Sequence, residues 1–88
     1  FYFEDILCFL YSLNTALQLE SRFEALKMDT DSRTAGEGII KTIQESIIDL
    51  ERAVGNNKPS DIASCKMLLN CLLGGLETFI FEHRNKRI

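Results

Sequence analysis

Eighty-eight residues, 45% of them hydrophobic and 26% charged, suffice for one small domain and leave no room for a second. One Pro and five Gly exclude collagen-like and low-complexity material. Thirteen acids against ten Lys and Arg give a formal net charge of −3 with no concentrated basic stripe, which argues against a duplex nucleic-acid binder that must neutralise phosphates.

The chain begins at Phe1 rather than Met, as a trimmed fragment of a longer protein would. Glu4 and Asp5 stand where a signal peptide needs bases. Ser12, Asn14 and Asn70 interrupt the apolar runs, so no membrane insertion is expected. Three cysteines, Cys8, Cys65 and Cys71, cannot all pair with one another, and they read as buried thiols of a reducing, cytoplasmic compartment.

The first predicted element is a helix over residues 2–28. Its apolar residues Ile6, Phe9, Leu13, Ala16, Leu19, Phe23 and Leu26 recur every three or four positions, the stripe of an amphipathic helix. Over residues 1–13 almost the whole circumference is apolar, whereas Glu20, Arg22, Glu24 and Lys27 confine the later part to one stripe. Residues 29–33 form a polar break. Thr34 with Glu37 three positions on fits a capping box, so a second helix is expected over 35–54, carrying Ile40, Ile43, Ile47, Leu50 and Val54.

Gly55 is placed to take the left-handed position that ends this helix, and Pro59 bars its continuation. Ser60 is a good N-cap for a third helix over 60–85, seamed by Ile62, Cys65, Leu69, Leu72, Leu76 and Phe79. Gly74 and Gly75 interrupt that helix at a cost of about 0.8–1 kcal/mol each. Close packing against the Ile40 and Ile43 region, or a kink, would account for them. His83, Arg84, Lys86 and Arg87 suit the negative end of the helix dipole.

Short connections between long helices predict an all-α, three-helix, up-down-up antiparallel bundle, completed by dimerisation. The first helix outruns the second in this arrangement. Residues 1–9 would project by roughly 10–13 Å at about 1.5 Å per residue. The third helix and its turn would cover that apolar end, or a second subunit or partner helix would.

No chemistry converges. His83 is the sole histidine, and Cys71 lies twelve residues before it, about 18 Å along a helix. Ile80 stands where a di-iron Glu-x-x-His would need its Glu. Gly36-Glu37-Gly38 lacks the lysine of a phosphate loop, and Glu20 with Glu24 and Glu45 with Asp49 read as solvated faces. No catalytic, cofactor or metal residue is therefore assigned, and no small-molecule substrate is expected. The expected function is a non-enzymatic interaction module that binds itself or a partner helix through Phe1, Tyr2, Phe3, Ile6, Phe9, Leu10 and Leu13. The alternative is a dimeric nucleic-acid-associated regulator using Arg84, Lys86 and Arg87.

Overall fold

Residues 3–85 are described by the computed structural model, and they form three α-helices and no strand. These are α1 (Phe3–Glu24), α2 (Thr30–Gly55) and α3 (Pro59–Asn85). All three pack on one another in a bundle-like body of 48 × 18 × 15 Å. At about 1.5 Å per residue α3 alone runs roughly 40 Å, so the long dimension is close to one helix length.

The periodic stripes meet as a single core. Ala16, Leu19 and Phe23 of α1 join Ile43, Ile47, Leu50 and Val54 of α2 and Ile62, Leu69 and Leu76 of α3, all buried. Leu73 and Ile80 of α3 are buried beside them, one step off the expected seam. Each fully buried Leu, Ile or Phe is worth about 1.5–3 kcal/mol relative to exposure. Phe23 closes one end of this core, its ring tilted against that of Phe79 with centroids 6.1 Å apart.

Both connections differ from expectation, for local reasons. The break between α1 and α2 covers residues 25–29 rather than 29–33. Two residues compete to cap α2, and Asp29 wins: its side chain accepts a hydrogen bond from the Ser32 N–H at 3.4 Å. The Ser32 side chain, and then this N–H, hold the Asp29 carboxyl below its usual pKa. Thr34 is then inside the helix, where its hydroxyl donates to the Thr30 carbonyl at 2.9 Å. Starting α2 early lets Leu26 and Met28 turn in against the core. The Arg33 guanidinium reaches back to donate to the Leu26 carbonyl at 2.7 Å and lies 5.4 Å from the centre of the Phe23 ring.

At the other end Gly55 remains helical. Asn57, at φ 54°, takes the left-handed conformation instead. Asn tolerates that region because its short polar side chain bonds locally. The Asn57 N–H donates to the Val54 carbonyl at 3.1 Å and the Lys58 N–H to the Ala53 carbonyl at 3.3 Å, the paired bonds of a Schellman ending. Pro59 then begins α3, where its missing N–H costs nothing, and Ser60 sits in the first turn rather than capping it.

The glycines are used differently from the expectation. Gly36 is buried because Phe23 lies on it. An added Cβ would fall within 2.6 Å of the Phe23 Cζ and 3.0 Å of the Phe79 Cε1. Gly74 and Gly75 are exposed, with no atom within 4 Å of where a Cβ would stand, and α3 runs through them unbroken. Close packing against α2 is therefore not their role.

Candidate interaction surface

The expected binding residues separate by where α1 rotates them. Ile6, Phe9 and Leu13 are half-buried and pack against the core. Phe3 and Leu10 face out, 72% and 51% exposed. Phe1 and Tyr2 lie outside the described residues.

The start of α1 does not project alone. The Lys66 ammonium of α3 sits 2.7 Å from an Asp5 carboxylate oxygen, and a shallow cleft joins Asp5 to Asn57, Pro59 and Ile62. The third helix and the turn before it therefore accompany residues 5–9. The hydrogen bond from Lys66 to Asp5 raises the Lys66 pKa.

What α3 leaves uncovered is the outer side of α1. Phe3, Leu7, Leu10 and Leu17 are all exposed, and with Asn14 they recur at intervals of four, three, four and three. Tyr11, also exposed, flanks the row. This is a second apolar seam, back to back with the one that packs the core. The sequence carries it openly. Its residues interleave with the Ile6, Phe9 and Leu13 stripe, so the start of α1 is apolar nearly all round.

The outer side of α3 is the other open apolar surface. Met67, Leu68 and Phe81 are exposed there, and Met67, Leu68 and Cys71 line a shallow depression. Cys71 is thus exposed, and Cys8 and Cys65 are half-buried, where fully buried thiols were expected. By length and composition alone α3 is also apolar enough to cross a membrane, although Ile62, Leu69, Leu73, Leu76 and Ile80 line the core.

The whole molecule shows the same surplus. A folded chain of its mass exposes roughly 5200 Å² on average. This one, at 10.0 kDa, exposes 6132 Å². An elongated body of 48 × 18 × 15 Å carries more surface than a compact one of the same mass.

The titratable groups are dispersed. Among the described residues, no group of three or more His, Cys, Asp and Glu side chains could hold a metal ion. The His83 Nδ1 donates to the Phe79 carbonyl at 2.8 Å and its ring stacks on Phe79, centroids 4.1 Å apart, which ties it to its own helix. Burial, then Asp49 and Asp61, push the Cys65 thiol up, which keeps it protonated. Arg84 extends over the Phe81 ring at 5.8 Å; Lys86 and Arg87 lie outside the described residues. No protein-family model matches the chain, and neither the curated proteins nor the solved structures provide a match.

Proposed function

We propose that this chain is a non-enzymatic helical interaction module, an up-down-up bundle of a reducing compartment, which associates with its own copies or a partner helix through the outer row of α1. The topology is supported by pairs at both ends: Asp5 with Lys66 near the starts of α1 and α3, and Phe23 with Gly36 and Phe79 where α1 ends, α2 begins and α3 ends.

The observation that carries the function is the exposed row Phe3, Leu7, Leu10, Leu17 at coiled-coil spacing with Asn14 inside it. A helix seated there buries apolar area at about 25 cal/mol per Å². A single polar residue in such a seam sets register at a cost in stability, which is the part Asn14 would play.

Light scattering on the purified chain at low and high salt tests this reading. Apolar association persists in high salt, whereas binding through Arg84, Lys86 and Arg87 to nucleic acid collapses there. Leu10→Asp is expected to lower the measured mass while the helical circular dichroism is unchanged, because Leu10 faces out. A mass unaffected by Leu10→Asp removes the assignment to α1.

A further inference from the structure

The outer row of α1 carries its polar groups along one edge. Glu4 and Arg22 are eighteen residues apart, about five full turns, so they stand on the same side of the row. Tyr11 lies on that side between them, and Asn14 sits in the row beside it. All four are exposed, and among the described residues none takes part in a side-chain hydrogen bond or ion pair. The other edge is apolar. Ile6 and Leu13 lie there half-buried, and Glu20 beyond them is turned to α2, where the Gln44 amide donates to it at 3.5 Å.

Edges that differ in this way select what can seat on the row. Resting on the reading of this row as a contact, we propose that its occupant is a second copy of the chain, with the two α1 helices antiparallel. In an antiparallel two-fold pair each edge meets its own counterpart, whereas in a parallel pair it meets the opposite edge. The antiparallel pair therefore sets acid against base, Glu4 to Arg22 of the second copy and the reverse. It also sets the Tyr11 hydroxyl against the Asn14 amide, which both donates and accepts. A parallel pair would lay these polar groups along Ile6 and Leu13.

The apolar residues fit the same register. With the two-fold axis at the level of residue 12, Leu7 meets Leu17, Leu10 meets Asn14 and Phe3 meets Ser21. Glu4 is then two residues from Arg22 in level, about 3 Å of rise, a gap that the long Arg22 side chain spans. Lys66 of α3 stands beside the acidic end and Glu77 beside the basic end, so a second copy turns these opposite charges towards each other as well.

Charge reversal tests the pairing by sedimentation equilibrium of the whole chain at low salt. Glu4→Arg and Arg22→Glu should each weaken the dimer about tenfold, and the variant carrying both should recover most of that loss. Circular dichroism should be unchanged in all three, because both positions are exposed. Thiol cross-linking reads the direction separately. In chains carrying Cys8→Ala, Cys65→Ala and Cys71→Ala, mixing Leu7→Cys with Leu17→Cys under mild oxidation should join the two variants several-fold faster than either joins itself.

Faster joining of either variant to itself overturns the proposal, because a parallel pair brings residue 7 to residue 7. So does a double charge variant that associates no better than the single ones, or a chain that stays single at millimolar concentration. These failures differ from failure of the α1 reading. If Leu10→Asp still lowers the measured mass, or a foreign helix still seats on the row, the row remains a contact and only the antiparallel second copy is wrong.

Discussion

Gly36 and the Gly74-Gly75 pair are the same residue put to opposite uses. At Gly36 the missing side chain is filled from within the chain: the Phe23 ring occupies the space, backed by Phe79 and covered by Arg33. At Gly74 and Gly75 the space stays empty. A helix that keeps an internal glycine gives up about 0.8–1 kcal/mol relative to alanine. Tight packing of the bundle corner offsets that loss at Gly36. The paired loss in α3 has no internal counterpart.

Substitutions at the two places sharpen the contrast. Removing the ring, Phe23→Ala, should cost about 3–5 kcal/mol in urea unfolding, the range for a large aromatic lost from a core. Gly36→Ala should cost about 1–3 kcal/mol, because a Cβ there overlaps the ring and either Phe23 or the helix must shift. The penalty should shrink in a Phe23→Leu background, a coupling that a double-mutant cycle measures. Gly74→Ala and Gly75→Ala should act in the opposite direction, raising the stability of the single copy by about 0.8–1 kcal/mol each in a thermal melt. If either lowers it, the pair is not open to solvent.

The smallest expected effect is at the cap of α2. Asp29 is held below its usual pKa by the side-chain and then the backbone hydrogen bond to Ser32. A depressed folded pKa means stability that is present above the unfolded value of about 3.9 and is lost as pH falls through the folded one. Asp29→Asn, which keeps an accepting oxygen but cannot titrate, should flatten the acid limb of a stability-versus-pH curve and leave the neutral plateau nearly unchanged.

Periodicity made most of the fold legible before any coordinates. Ile43, Ile47, Leu50, Ile62, Leu69 and Leu76 fell on seams that are buried, since an apolar stripe every three or four residues has few other ways to leave water. Helix boundaries were less legible because two capping residues five positions apart were both adequate. Asp29 prevailed over Thr34 through contacts remote in sequence, Arg33 to Leu26 and the ring of Phe23 on Gly36. The role of Gly36 could not be read locally for the same reason, as its neighbour is thirteen residues away.

The candidate surface was half legible. The apolar start of α1 marked the region, yet which of Phe3, Ile6, Phe9, Leu10 and Leu13 face out depends on where α3 lies. Phe3, Leu7, Leu10, Asn14 and Leu17 become a separate row only once the inner stripe is assigned.

The pairing of Lys66 with Asp5 is the one ion pair among the described residues. A fold held together so largely by apolar contact draws its thermal behaviour from water. Unfolding should show the large positive heat capacity of newly wetted hydrocarbon, and the bundle should weaken on chilling as well as on heating. Added sulfate should toughen it, because that ion is excluded from protein surfaces and favours burial.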